Sequence, residues 1–477
     1  MSKTEHELNI NEALAKAKNF LQDDTKCSEE ARAVFSPILM ILEALLAKLG
    51  KNSQNSSIPP SQDQNREKTL QSPSQEKKKP GGQPGRAGKN LAQFEKVDEV
   101  IDVPVDRTNL PPVHEYIAVG HEARQVVELI VRRWVKEYRL EIVQDENGKR
   151  YTAKAPEGVN STVQYGTSVK TQSAYMYAFQ MIPYGRIENY FRDQAGILIS
   201  SGTIFNFNRE AFELLDNFEA TAKVHLRGAV VLNADETGIN ISGKRHWLHN
   251  ASNDKWTLYH AHKKRGREAI NDMGILPYFS GVLVHDHWSP YYTYQKCQHS
   301  LCNAHHLREL QWITDKFPTR TWALLMQDFL KALNVAADKA GGALDEKAQK
   351  EQIAHYRQIL AVADSESPPH SSPEAKKRGK VKHSKERNLI ERLRKFEGDV
   401  LRFMTNKEVP FTNNQAERDI RMVKVQQKIS GCFRSEDGAK IFCRMRSYIL
   451  TCQKHLISSI DALVMLFHGR LPDFCAT

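Results

Sequence analysis

Residues 228–239 read GAVVLNADETGI and residues 281–292 read GVLVHDHWSPYY. Each opens as an apolar, β-branched run of the kind that fills a strand covered on both faces, and each run closes on an acidic residue, Asp235 and Asp286. Between them RHWLHNAS (245–252) and KWTLYHAH (255–262) are two more strand candidates, set off by GK and ND turns. Far downstream, FTNNQAERDIRMVK (411–424) has helical spacing, with Thr412 as a candidate cap and Glu417, Ile420, Arg421 and Lys424 on one face.

Three meandering strands, a helical crossover near Arg265 to Met273, and a fourth buried strand ending in an acid is the order of an RNase H-like core. The expected fold class is therefore α/β, a mixed sheet with flanking helices. Carboxylates gathered from two strand ends and a helix suit hard divalent cations such as Mg²⁺ or Mn²⁺. Two such ions, about 3.5–4 Å apart, align and activate both oxygens of a phosphodiester displacement, with Asp235 bridging and Asp286 and Glu417 holding one ion each. Glu236 adjoins Asp235 and, by strand alternation, points to the opposite face, so only one of the two enters the site; the residues alone lean to Asp235. A zinc centre built from His285, His287, His299, Cys302, His305 and His306 is the other arrangement, but no pair of ligand doublets has finger-like spacing, and zinc is not expected.

The remainder of the chain frames this core. Lys and Arg number 68 against 57 Asp and Glu, a net charge of +11 that favours a polyanionic partner, DNA or RNA before an anionic membrane. The first residues are charged and amphipathic, without a signal core, and no apolar run reaches the roughly 18 residues of a membrane span. Seven cysteines with no C-x-x-C pair read as reduced thiols, and the location expected is cytoplasmic. Residues 1–50 are read as helices, with a short coiled-coil seam at Ile38, Leu42, Leu45 and Leu49. Residues 51–93 form a Ser/Gln/Pro/Gly linker whose bases Lys77, Lys78, Lys79, Arg86 and Lys89 offer salt-sensitive affinity for phosphates. Residues 94–160 read as a small β-rich module from VVELIVRRWV, YRLEIV and the turn DENGKR; residues 161–225 are helical, with GILISSG as a possible helix-turn-helix break. Residues 226–477 hold the core, interrupted at about 310–405 by a helical insertion.

The chain resembles the IS66 family of insertion-sequence transposases, members of the DDE group. The resemblance is carried by KNSQNSSIPPS, KKPGGQPGRAGK, VQYGTSVK, QMIPYGRI, NADETG, GKRHWL, LVHDHWSPYY, LCNAHHLREL and TNNQAERDIR, in that order. It implies that Asp235, Asp286 and Glu417 are the DDE triad, choosing Asp235 over Glu236. It also implies that Cys302 and His305, in a C-x-x-H pattern, support the site structurally. Relatives carry a cysteine-rich segment after the GGQPG motif, whereas residues 97–156 here contain no cysteine. Arg132, Arg133 and Lys136 are the candidates for reading DNA in its place.

The expected protein is a transposase that cleaves element ends and transfers them into target DNA. It would act as a homo-oligomer associated with the bacterial nucleoid, with co-encoded accessory proteins as further partners. Arg418, Arg421 and Lys424 are candidates for holding the DNA backbone near the metals. A catalytically silent, transposase-derived DNA-binding protein and an RNase H-like nuclease are the alternatives; the first would have lost a carboxylate, and the second needs neither the insertion nor the N-terminal appendages. Replacing Arg132, Arg133 and Lys136 together is expected to weaken binding to element ends in a gel-shift titration, and unchanged binding would count against their role.

Overall fold

The computed structural model describes residues 91–368 and 384–475, with a few isolated positions between 17 and 42. The N-terminal seam, apart from isolated residues, and the basic run with Lys77, Lys78, Lys79, Arg86 and Lys89 lie outside the described residues. The chain divides into two compact units, residues 67–134 and a larger one that comprises 1–66 with 135–477.

In the smaller unit the described residues form a single 3-10 turn, Arg107–Asn109, capped by the Asp106 side chain. The Gln125 amide donates to the Phe94 carbonyl at 2.9 Å and accepts from the Phe94 N–H at 2.7 Å, tying together positions 31 residues apart. The expected strand VVELIVRRWV has no ladder here: Val126, Leu129, Ile130 and Trp134 are all exposed, and a strand needs both a paired neighbour and a covered face. The hairpin around DENGKR does form in the larger unit, as β1 (Ile142–Gln144) with β2 (Arg150–Thr152). Asp145 Oδ1 accepts from the N–H groups of Asn147 and Lys149, and Gly148 takes the positive φ that the turn requires.

Four helices follow: α1 (Thr167–Ala174), which continues into a π turn, α2 (Tyr184–Ala195), α3 (Ser201–Leu214) and α4 (Asp216–Arg227). The GILISSG break is made by Gly196 in left-handed conformation, which ends α2, and by Ser200, whose hydroxyl accepts from the Thr203 N–H to start α3. Ile187, Phe191, Ile199, Ile204 and Phe207 bury the junction.

The sheet comprises β3 (Val231–Ile241), β4 (Lys244–Ser252), β5 (Thr257–His262), β6 (Val282–His285) and β7 (Gln298–Leu301), in spatial order β5-β4-β3-β6-β7. The first three form an antiparallel meander, and after α5 (Arg267–Met273) β6 pairs parallel with β3, and β7 parallel with β6. This is a mixed sheet flanked by helices, compatible with an RNase H-like core. Gly281 lets β6 enter beside β3, because a Cβ there would lie 2.5 Å from the carbonyl oxygens of Ala229 and Val230.

Strand alternation divides the core. Leu232, Ala234, Leu258 and Leu283 pack under α4, α12 (Glu436–Lys454) and α13 (Ser459–Phe467). Val282, Val284 and Leu301 pack on the other side, in the core shared with α6 (Asn303–Lys316), α7 (Trp322–Lys339), α8 (Glu346–Glu366), α9 (Lys385–Lys395) and α10 (Glu397–Thr405). The helix that begins with NNQAER, α11 (Asn414–Ser430), lies along β3 and is pinned to it at three levels. Asn413 Nδ2 donates to the Ala234 carbonyl at 2.8 Å, and its Oδ1 accepts from Asn233 Nδ2 at 2.9 Å. Lys424 Nζ donates to the Gly238 carbonyl at 2.6 Å, and Phe433 exchanges backbone hydrogen bonds with Asn240 and Ser242.

Asn413 is 2% exposed, so its loss orphans buried polar groups at about 1–3 kcal/mol each. Asn413→Leu is expected to destabilise the protein by about 2–4 kcal/mol, read as a lowered urea midpoint. The neighbouring exposed Asn414→Ala should move it by less than about 0.5 kcal/mol.

Candidate active site

Asp235 lies mid-strand on β3, opposite Asn250 of β4, and Asp286 is the first residue after β6. Because β3 and β6 are adjacent and parallel, both acids leave the sheet from neighbouring strands. Glu417 falls in the first turn of α11, which Asn413 fixes against Ala234, one residue before Asp235. Burial, then Glu236, Asp286 and Glu417, raise the Asp235 carboxyl well above the usual carboxylate range. Asp286 is also raised, mainly by burial, while the Trp288 N–H, which donates to its Oδ1 at 3.0 Å, and Arg265 act in the opposite sense. Asp235 thus feels the neighbouring acids in a poorly solvated place. Among the described residues, Asp235, Asp286 and Glu417 do not close as a set to within the 4.8 Å spacing that one ion's ligands would need.

Glu236 takes the opposite face, as alternation requires. Its Oε1 accepts from Arg265 Nε at 2.9 Å and from an Arg265 terminal N–H at 2.6 Å, and its Oε2 accepts from the Tyr291 hydroxyl at 2.6 Å. Burial and Asp286 nevertheless push its carboxyl up to about 7. The Arg265 guanidinium lies over the Trp247 ring at 4.8 Å and over the Trp288 ring at 4.3 Å, and Arg245 lies over Trp247 at 4.9 Å. Arg265, Trp247 and Trp288 are site neighbours that the sequence did not single out. The available signal was Trp288 in DHWS, two residues after Asp286, and Trp247 in GKRHWL, on the strand that follows Asp235.

Cys302 ends the stretch after β7, and its buried Sγ accepts from the Asn413 N–H at 3.1 Å. From Cys302 Sγ to Glu417 Oε1 is 3.8 Å, and from His305 Nδ1 to the same oxygen is 4.0 Å. The other histidines have partners of their own. His285 Nε2 lies 3.0 Å from His299 Nδ1, His287 Nδ1 2.9 Å from the Tyr292 hydroxyl, and His306 Nδ1 3.0 Å from Asn303 Oδ1. Burial lowers His285 and His306 to about 3 and His287 to about 4, so all three are neutral.

The basic candidates separate. Arg418 and Arg421 are exposed, and an Arg418 terminal N–H donates to Gln415 Oε1 at 3.2 Å. Lys424, expected to face DNA, instead turns inward and donates to the Gly238 carbonyl, while burial and then Arg245 hold its ammonium below the usual lysine range. Arg132, Arg133 and Lys136 are exposed, and Arg132 lies over the Trp134 ring at 5.6 Å.

With this geometry in place, the comparisons define the class: a family of transposases, which are DNA-processing enzymes. Residues 162–441, more than half of its length, match the model described as "Transposase IS66 family", and the chain belongs to that family. A comparison with curated proteins gave no match. Among the described residues no helix is long and apolar enough to cross a membrane.

Glu236 carries a pH signature in the metal-free protein. A carboxyl whose folded value exceeds its unfolded one favours folding fully below the unfolded value, about 4.5, and loses that contribution as pH rises through about 7. The buried histidines act with the opposite sign below about pH 6.5, so the informative quantity is the difference between wild type and Glu236→Gln. In excess chelator, wild type is expected to lose stability relative to the variant between pH 5 and pH 8, by up to about 3 kcal/mol. Thermal melts across that range check it, and a difference that stays flat or grows with pH would contradict it.

Proposed function

We propose that the protein is a metal-dependent DNA transposase that cuts the ends of its element to expose 3′ hydroxyls and joins those hydroxyls to target DNA. The observation that carries this reading is the carboxylate group itself. Asp235 is raised by burial, then by Glu236, Asp286 and Glu417, the last two being acids from another strand and from a helix remote in sequence. A bound cation would relieve that repulsion and favour the ionised carboxylates, and carboxylate oxygens are the donors that Mg²⁺ or Mn²⁺ prefers. Asp235, Asp286 and Glu417 would together hold the divalent ions that this chemistry uses. When bound, such ions activate the attacking hydroxyl or water and stabilise the leaving oxygen.

The chain's own residues set up that chemistry. The Glu236 N–H donates to Asp235 Oδ1 at 2.9 Å and the Trp288 N–H to Asp286 Oδ1, so each strand carboxylate has one oxygen oriented by backbone and another left for a ligand. Asn413 sets the level of Glu417 on the sheet. Arg265 keeps Glu236 paired on the far face, so that its oxygens are engaged by protein donors. Arg418 and Arg421 are exposed on the helix that bears Glu417, which supports a role for them in meeting the DNA backbone. No covalent protein intermediate is needed, because both steps are displacements at phosphorus by an oxygen nucleophile.

Substituting Asp235, Asp286 or Glu417 singly with Ala is expected to reduce Mg²⁺-dependent end cleavage and strand transfer by on the order of a thousandfold or more, with DNA binding in gel shift largely kept. Full strand transfer by any one of these variants would remove that residue from the triad.

A further inference from the structure

Glu417 faces a second set of donors that the hard-ion reading does not use. Cys302 Sγ, His305 Nδ1 and a Glu417 carboxylate oxygen all lie within 4.8 Å of one another. Thiolate, imidazole and carboxylate together are a borderline-soft donor set, the type that takes Zn²⁺ or Co²⁺ in preference to Mg²⁺. The spacing is close to what such an ion needs. Bonds of about 2.3 Å to sulfur and about 2.0 Å to nitrogen and oxygen, at tetrahedral angles, separate S and O by about 3.5 Å and N and O by about 3.3 Å. The observed separations of 3.8 and 4.0 Å exceed these by about 0.3 and about 0.7 Å, within the reach of side-chain rotation.

Two further observations point to a ligand. His305 Nδ1 is shielded from solvent and has no hydrogen-bond partner among the described residues, although His285, His287 and His306 each have one for their Nδ1. Cys302 Sγ is buried and accepts the Asn413 N–H, the kind of backbone donation that steadies a metal-bound thiolate from outside the shell. Both short approaches fall on Oε1 of Glu417, so Oε2 remains for an ion on the Asp235 side.

We infer that Cys302, His305 and Glu417 form a site for one thiophilic divalent cation of the zinc class, which fixes the Glu417 carboxylate by binding its Oε1. Ligation replaces the thiol proton, which passes to solvent, and leaves the fourth position to water. The ion is a positioning group and takes no part in the displacement at phosphorus. The inference shares Glu417 with the transposase reading but stands on binding alone, so a DNA-processing assay does not decide it.

The test uses the full-length protein, stripped with chelator and titrated with Zn²⁺ and separately with Co²⁺, alongside Cys302→Ser, His305→Ala and Asp286→Ala, with circular dichroism to show that each variant is folded. The expected result is one Zn²⁺ per chain by elemental analysis and a thiolate-to-cobalt charge-transfer band in the near ultraviolet. Cys302→Ser should lose the band, both ligand variants should bind Zn²⁺ at least about tenfold more weakly, and Asp286→Ala should bind it as wild type does. If folded Cys302→Ser and His305→Ala keep the wild-type stoichiometry and affinity, or Co²⁺ gives no thiolate band, the site is refuted. Because Asp286→Ala separates the two ion sets, failure of the triad reading would leave a positive zinc result standing.

Discussion

Carboxylates forced together where water is scarce repel one another, and much of this protein is arranged to hold that repulsion in place. Asp235 shows it most plainly, raised by its own burial and by three neighbouring acids. In water the same charges would be screened to about 1 kcal/mol at 4 Å, and at a partly desolvated site the interaction is several times larger. The acids could relieve it by drifting apart, yet each is fixed. Asp235 is held in a strand paired on both sides, Asp286 at the end of a parallel strand with its Oδ1 tied to Trp288, and Glu417 on a helix pinned to β3 at three levels.

The opposite face of β3 solves a related problem by different means. Glu236 is as deeply buried as its neighbour but receives two N–H donors from Arg265 and a hydroxyl from Tyr291. Arg265 can stand close to this cluster because its two ring partners, Trp247 and Trp288, compensate part of the guanidinium's lost hydration. One member of the DE pair is therefore satisfied by protein groups and the other is left short of a partner. That asymmetry, more than acidity as such, distinguishes a carboxylate available to a cation from one that is structural.

The sheet was legible because its information is local. Alternation and turn residues in 228–262 give three strands, and the same alternation separates Asp235 from Glu236. What could not be read depends on contacts between remote segments. Asn413 is an ordinary polar residue before a helix until Ala234 and Asn233 are brought beside it, and Lys424 is a surface base on any helical projection until the Gly238 carbonyl lies under it. VVELIVRRWV marks the limit in the other direction. Its residues favour a strand, but no ladder forms on it, because β-propensity describes a fit to neighbours that a sequence window does not contain.

The long interval between Asp286 and Glu417 is the remaining structural question, since the helices α6 to α10 intervene between two groups that must stay in register. The answer lies where the insertion leaves the core and returns. The Asn303 N–H donates to the Phe411 carbonyl at 3.1 Å, Asn303 Nδ2 donates to the Val400 carbonyl at 3.0 Å, and the Asn413 N–H reaches Cys302 Sγ. The departing and returning strands of chain are thus stitched together at Cys302 and Asn303 on one side and at Phe411 and Asn413, in the two turns before Glu417, on the other. Once the ends of a loop are closed in this way, its length costs only a slowly growing entropy, and its interior can vary without moving the site. Register between Asp286 and Glu417 is consequently set by β7 and this junction, so the helices beyond can serve other ends while the carboxylates keep their places.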